Sequence, residues 1–354
     1  MLAEQIIPKE FAPLADIQAK EEEALLARNG VVGVALGHKY TEGQDTGKRA
    51  LIALVDSKIP KEMLSSSDMV PKTIAGTPVD VQEVGIIQAG DAFTRTLEEP
   101  RTPLANGAPA LLADDAALAA RENVGPFTLA ARVRPAYGGV SVGHVNVTAG
   151  TLGTCCYDAA PFPGIPQRYY LLSNNHVLAN SNQAQIGDPI LQPGAYDGGT
   201  YPTDVIARLS RFVPIRFQVQ GQPTPINYVD AAIAEGKFAD LDRRIFWTGH
   251  LRGVLGSPQV GMVVEKCGRT TNFTTGAVVN INATVDVNYG QGKIARFGRQ
   301  ILTTAMSAPG DSGSLVADLD QKAVGLLFAG SPTVTVINPI LLVQSLLGIR
   351  VSEH

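Results

Sequence analysis

Two hydrophobic rhythms divide the chain. In its first part, Phe11 to Asn29 carries apolar residues at helical spacing: Leu14, Ile17, Leu25 and Leu26 share one face, and Glu21 to Glu23 take another. Gly30 stands where a helix ends on a left-handed residue. Val31-Val32-Gly33-Val34-Ala35-Leu36 is a buried-strand pattern, and a polar turn, His38 to Arg49, leads to a second strand, Ala50 to Val55. Lys58 to Ile74 is turn-rich with room for one helical turn, and Pro78 to Ile86 alternates in part as a third strand. This order predicts a small α/β layer domain over residues 1–90.

From Phe127 the rhythm changes to short β runs punctuated by turns. They are Val140 to Val147, Thr151 to Tyr157, Val205 to Leu209, Ile215 to Val219, Val260 to Lys266, Gly276 to Ile281 and Ala283 to Asn288. Strands at that spacing argue a sandwich or a barrel. Pro339 to Leu347 reads as a closing helix, with proline in its first turn and Gly348 just past its end. Residues 91–125 are rich in Ala, Pro and charge and read as a linker, with Asp114 to Glu122 as a short helix inside it. The organisation is therefore 1–90, linker, and a β domain over 126–354.

Composition narrows the functional classes. The 354 residues suit two domains, 45% of them are hydrophobic, and 36 glycines with 23 prolines fit a turn-rich β protein. Net charge is −4 with no basic block, which argues against nucleic acid and anionic membrane as partners. No apolar run is long enough to span a bilayer, and Met1 to Pro13 lacks the basic segment and apolar core of a secretory signal. There are three cysteines; Cys155 and Cys156 are neighbours, whose bridging is strained, so free buried thiols are expected. Their spacing suits no metal, no cofactor is implied, and the count points to a reducing, cytoplasmic compartment. In such a compartment the Asn-x-Thr sequences at Asn146, Asn272 and Asn282 carry no meaning. Gly47-Lys48 lacks the upstream glycine and following hydroxyl of a phosphate loop.

Three segments carry candidate chemistry. Gly310-Asp311-Ser312-Gly313-Ser314 places a serine on a glycine turn before an apolar run, Leu315 to Ala317. Gly310 lets its own N–H and that of Ser312 face one spot, where an oxyanion can form. Taken alone, the same residues make an ordinary turn. Tyr169 to Leu172 is an apolar strand that delivers His176 through a short polar turn, in a setting that leaves one ring nitrogen free as a base. Asp230 opens the small apolar run Ala231 to Ala234, where a carboxylate needs a partner. Alone, such a histidine is more often a structural residue, and the aspartate suits a strand entry or a cap. Together they fall in the chain order His176, Asp230, Ser312, which is the chymotrypsin order and neither the subtilisin nor the α/β-hydrolase order. Ser314 occupies the place where the α/β-hydrolase elbow requires glycine.

On these residues the chain resembles the bacterial trypsin/chymotrypsin-like serine peptidases. Ser173-Asn174-Asn175-His176-Val177 resembles their histidine box, Asp230 to Ala234 their aspartate box, and Gly310 to Ser314 their serine box. Gly268 to Val278 is similar to the glycine- and threonine-rich hairpin of α-lytic protease and the streptogrisins. Ala323 to Gly330 is similar to the strand that pairs with substrate backbone. The resemblance covers residues 126–354. It implies two six-stranded antiparallel barrels with the catalytic cleft between them. Ser312 would then be the nucleophile, His176 the base, Asp230 its orienting acid, and the N–H groups of Gly310 and Ser312 the oxyanion hole. Met306, six residues before Ser312, would floor the primary pocket, with Phe328 and Gly330 along its wall, or equally be plain barrel core. Small or medium apolar residues before the cut would follow.

Some features depart from that pattern. Val177 follows His176, so the disulfide beside the histidine cannot form, and only Cys267 lies near the hairpin. The long stretch before His176 implies no newly cut N-terminus of the trypsin kind. His144 and His250 match no box and read as structural. The expected activity is hydrolysis of protein or peptide substrates. The alternatives are a partner-gated protease, with residues 1–90 as the surface for a regulatory partner or for self-assembly, and a non-proteolytic binding module on the same scaffold.

Overall fold

A computed structural model of the chain describes residues 6–90, 128–159 and 168–352. The linker expected over 91–125, with its short helix, lies outside the described residues. Helix α1 (Ala12–Leu26) has proline in its first turn, and Gly30 follows it with φ +78°. Strands β1 (Val31–Thr41) and β2 (Gln44–Val55) form one long antiparallel hairpin. The polar stretch His38 to Arg49, expected as a turn, is therefore mostly strand. Its arms extend into solvent, and only Glu42-Gly43 turn, both at positive φ, as a two-residue hairpin loop requires. The helical turn expected in Lys58 to Ile74 is a single 3-10 turn at Lys61–Met63. β3 (Thr73–Ile74) and β4 (Thr77–Glu83) follow, and β4 runs parallel to β2.

The first barrel is built from β6 (Ser141–His144), β7 (Gly150–Thr151), β8 (Thr154–Asp158), β9 (Tyr169–Ser173), β10 (Pro189–Leu191), β11 (Val205–Phe212) and β13 (Ala232–Gly236). β5 (Ala136–Gly138) and β12 (Ile226–Asn227) lie outside that ring. The strand order β8-β9-β13-β11-β10-β6 closes because β7 and β8 are halves of one bent strand. β7 pairs with β6 and β8 with β9, and Leu152 at the bend bonds to both Gly139 and Val140. The Ile215 to Val219 strand does not form. The backbone of Ile215 is satisfied by the amide of Asn182, and that of Arg216 by the amide of Asn227. Two side chains thus do what a neighbouring strand would otherwise do. One-turn helix α2 (Asn175–Leu178) follows β9 directly.

After β14 (Leu241–Ile245) and β15 (Gly253–Val254), six strands make the second barrel: β16 (Val263–Gly268), β17 (Asn272–Asn288), β18 (Ile294–Thr304), β19 (Leu315–Asp318), β20 (Lys322–Gly330) and β21 (Val334–Pro339). Their order, β18-β21-β20-β19-β16-β17, closes through β17–β18 pairing. Gly276 to Ile281 and Ala283 to Asn288, expected as two strands, are one strand that bends where Asn282 takes φ +48°. Helix α3 (Ile340–Leu347) begins just after Pro339, and β22 (Ile349–Arg350) returns to β8. The mainly β, chymotrypsin-like double barrel expected from the sequence is the architecture observed.

The N-terminal segment is joined to the second barrel edge to edge. β1 pairs with the outer half of β17, Gly33 opposite Val285 and Gly37 opposite Asn280. Both glycines are needed there, since a Cβ would lie 2.8 Å from Thr284 O and 2.9 Å from Val279 O respectively. Ala35, Ile52 and Leu54 share one core with Val285, Phe297 and Phe328 of the barrel. On the other side Gln18 of α1 exchanges amide hydrogen bonds with Asn282, at 2.8 Å and 3.0 Å.

Candidate active site

The serine turn joins β18 to β19 and rests on β7 of the first barrel. Thr151 N donates to Ser312 O at 2.8 Å, and Thr151 Oγ1 donates to Gly310 O at 2.9 Å. Gly310 and Gly313 have φ +95° and +96°. A Cβ on Gly313 would sit 2.1 Å from Ser173 Oγ and 2.2 Å from Thr151 O, so no other residue fits that turn as built. The amides of the turn alternate in their pairing. Asp311, Gly313 and Ser314 donate to Ala308 O, Leu327 O and Asp311 O. Among the described residues, those of Gly310 and Ser312 donate to nothing. Two unspent donors flanking Asp311 are the pattern an oxyanion hole needs.

Asp311 holds this turn in shape from below. Its side chain is fully buried, with Oδ1 accepting from Thr270 N (2.9 Å) and Thr271 N (3.1 Å). Oδ2 accepts from Thr271 Oγ1 (2.6 Å), Ala308 N (3.0 Å) and Lys266 Nζ (3.2 Å). Lys266 is equally buried; desolvation lowers its pKa, and the facing carboxylate opposes that shift. The countercharge of the turn is thus an internal side chain on β16. Nothing in the sequence marked Lys266, since a lysine inside a strand pattern reads as surface.

His176 is presented by α2 and fixed from behind. Its Nδ1 lies 2.6 Å from Asp230 Oδ2, and its backbone N donates to Asp230 Oδ1 at 3.2 Å. The carboxylate assigns the proton to Nδ1, which leaves Nε2 with a free lone pair. Nε2 is buried and has no hydrogen-bond partner among the described residues. Asp230, fully buried between β12 and β13, has its own main chain tied down. Asn174 Nδ2 and Asn338 Nδ2 donate to its carbonyl at 2.7 Å and 3.2 Å, and its N–H donates to Asn338 Oδ1 at 3.2 Å. Tyr289 OH donates to Asp230 Oδ2 at 2.7 Å, and the Tyr289 ring meets the imidazole edge-on at 6.0 Å. Burial, together with the Asp230 charge, holds the Tyr289 phenol far above its ordinary pKa. Asn174 belongs to the segment that carries His176, but Tyr289 and Asn338 were not legible from the sequence, because each is recruited by folding from a remote segment.

His176, Ser312 and Gly310 face one cavity of about 170 Å³, also bordered by Thr148, Tyr289 and Gly90. The Ser312 hydroxyl and Nε2 share this space without a hydrogen bond between them. The arrangement offers an acceptor nitrogen, the alcohol of a residue that is 8% exposed, and two free amides around one cavity. That set serves acyl transfer.

The residues expected to form the primary pocket do not border this cavity. Met306 is buried at the barrel's edge; its N–H donates to Thr335 Oγ1 at 3.1 Å and its carbonyl accepts from Thr274 Oγ1 at 2.7 Å. Phe328 is fully buried with its ring 4.7 Å from that of Phe297. Gly330 has both main-chain groups bonded to Gln88. His144 pairs with Asp188 at 3.1 Å, and neither it nor His250 borders the cavity. All three cysteines are unpaired and buried. Burial raises each thiol's pKa, that of Cys267 to about 12. Among the described residues no group of acids, histidines and cysteines could hold a metal ion, and no helix is long and apolar enough to cross a membrane.

No protein-family profile matches the chain. It is 50% identical to glutamyl endopeptidase 2 of Streptomyces griseus over 54 residues, which are 15% of this chain and 26% of that protein. It is 35% identical to serine protease 2 of Streptomyces fradiae over 108 residues, 30% of this chain and 50% of that protein. The chain thus spans half or less of the length of these curated relatives. Among solved structures, Thermobifida fusca protease A aligns over 60% of this chain and 96% of its own, at 16% identity and a TM-score of 0.41. Nocardiopsis protease aligns over 60% and 97%, at 17% identity and the same TM-score. In sequence the chain is similar to bacterial chymotrypsin-like serine peptidases.

Proposed function

We propose that the chain is a serine endopeptidase in which Ser312, His176 and Asp230 work as a triad. The observation that carries this reading is the state of His176. Its Nδ1 is committed to a buried carboxylate, while its Nε2 is unpartnered in the cavity that also holds Ser312. A histidine kept only for packing would have both nitrogens satisfied. In this mechanism Nε2 takes the proton of Ser312 as the alcohol attacks the scissile carbonyl. The imidazolium is stabilised by Asp230, whose charge is held by Tyr289. The amides of Gly310 and Ser312 receive the oxyanion. Nε2 then returns the proton to the leaving amine, and water releases the acyl group by the same route in reverse.

Substrates are proteins or peptides. A small or medium apolar residue before the cut is proposed from the chain position of Met306 alone, six residues before Ser312, where no charge would attract Lys or Arg; its side chain lies in the barrel core and does not border the cavity. The three unpaired, buried thiols suit a reducing compartment, and the cytoplasm is proposed on that ground. The test is covalent labelling of Ser312 by a fluorophosphonate, read by mass, alongside cleavage of a peptide library. Labelling and cleavage that both vanish in Ser312→Ala are expected. Cleavage that survives in that variant removes Ser312 from the mechanism, and a dominant preference for Arg or Lys overturns the pocket assignment.

A further inference from the structure

The segment that leaves β4 does more than connect. Val84 is fastened at its start, its N–H donating to Val55 O at 2.8 Å and its carbonyl accepting from Ser331 Oγ and Thr333 Oγ1. The chain then enters the cleft as a strand. Gln88 N donates to Gly330 O at 2.9 Å, and Gly330 N donates to Gln88 O at 3.0 Å, an antiparallel pair on the end of β20. On its other edge, Asn288 N donates to Ile87 O at 2.9 Å, and Ala89 N donates to Asn288 O at 3.0 Å. Side chains alternate as a strand requires: Ile86 is exposed, Ile87 and Ala89 are buried, and Gln88 between them is only half-buried. Gly90 reaches the catalytic histidine, since a Cβ placed on it would lie 3.7 Å from His176 Cδ2. It borders the same cavity as Ser312 and Gly310.

We propose that Ile87–Gly90 occupy the acyl side of the cleft as a substrate-like strand, so that the resting chain inhibits itself. The proposal rests on the reading of this site as a peptidase and of Gly330 as the residue that pairs with substrate backbone. Direction is the strongest argument. On that reading an acyl-side peptide pairs with Gly330 by strand addition and has to advance from there towards the nucleophile. The internal segment takes that course, with Gln88 at Gly330 and Gly90 two residues further on beside His176. Its side-chain pattern also describes the competitor that displaces it: an apolar residue where Ile87 is buried and a small one where Ala89 is buried. A tethered strand has an effective concentration on the order of millimolar, so a free peptide competes poorly until the strand is released.

Two measurements on the full chain test this. In the first, a peptidyl phosphonate bearing Ile-Gln-Ala ahead of its phosphorus is attached to Ser312, attachment is confirmed by mass, and amide hydrogen exchange is followed. Exchange at Gln88 and Ala89 should accelerate at least tenfold. Unchanged exchange in labelled protein overturns the proposal. In the second, Gln88→Pro removes the N–H given to Gly330, and Ile87→Ala weakens the anchor without touching the main chain. Either variant should raise kcat/KM for peptides about tenfold, while a small fluorophosphonate, which needs no contact with β20, labels Ser312 at the wild-type rate. Wild-type kcat/KM in both variants, with labelling intact, overturns self-inhibition and leaves the peptidase reading standing. Failure of labelling in every form overturns both.

Discussion

Tyr289 OH donates to the same carboxylate oxygen of Asp230, Oδ2, that faces Nδ1 of His176, at 2.7 Å and 2.6 Å respectively. The buried carboxylate therefore has a second donor besides the imidazole, and the two share one acceptor atom. Tyr289→Phe leaves the ring packing in place and deletes only that donor. Loss of one hydrogen bond to a buried charge costs about 1.5–3 kcal/mol. We expect a lower Tm and a kcat reduced about tenfold with KM little changed, because the hydroxyl touches Asp230 and no part of a substrate. Wild-type kcat in a stably folded Tyr289→Phe protein would remove Tyr289 from the positioning of the acid.

Asp230→Asn tests the orienting role separately from the nucleophile. An amide at this position can donate as well as accept, and so no longer dictates that Nδ1 carries the proton. The expected loss is about 10⁴-fold in kcat, similar to that of Ser312→Ala, and the double variant should be no worse than the worse single one. Additive losses in the double variant would show that the two residues do not act in one mechanism.

The legible parts of this chain were those whose signal is local. Gly310 and Gly313 announce a turn that needs positive φ, and the Tyr169–Leu172 run announces the strand behind His176. What was not legible depends on distant segments meeting. Ile215 looked like a strand residue because its side chain is buried, yet its backbone bonds go to the Asn182 amide. His38 to Arg49 looked like a loop because it is polar, although a two-stranded arm in solvent has no apolar face to show. Lys266 and Tyr289 gave no signal, since the partners that make them important lie 45 and 59 positions away along the chain.

The buried pair of Lys266 and Asp311 makes a sharp prediction about the serine turn. Lys266→Met leaves a carboxylate inside the protein with its other donors but without its countercharge. Removing one partner of a buried ion pair costs about 3–5 kcal/mol. The turn carrying Gly310 and Ser312 should loosen, and fluorophosphonate labelling of Ser312 should slow even where the protein remains folded. A Lys266→Met protein with wild-type stability and labelling would mean that Asp311 is held by the threonine and backbone donors alone.

The thiols set how stability responds to alkali. Burial raises the pKa of Cys155, Cys156 and Cys267 above the ordinary thiol value of 9.0, that of Cys267 to about 12. The unfolded chain therefore loses these protons from about pH 9 while the folded chain keeps them. Their contribution is fully present below that pH and is lost as pH rises towards the folded values. Each thiol contributes a slope of up to about 1.4 kcal/mol per pH unit. Lys266, whose pKa is lowered by burial, acts in the opposite sense below 10.5, but it is one group against three. Tyr289, with its pKa raised by burial, joins the thiols above pH 10. Net stability should thus fall steeply between about pH 9 and 11 in guanidinium titrations, and replacing Cys156 by valine should make the fall shallower. The same burial predicts that a thiol reagent leaves the native protein unmodified at neutral pH and reacts with all three cysteines once it is unfolded. Stability that holds level through pH 10, or rapid modification of the native protein, would show that the thiols are not sealed inside the barrels.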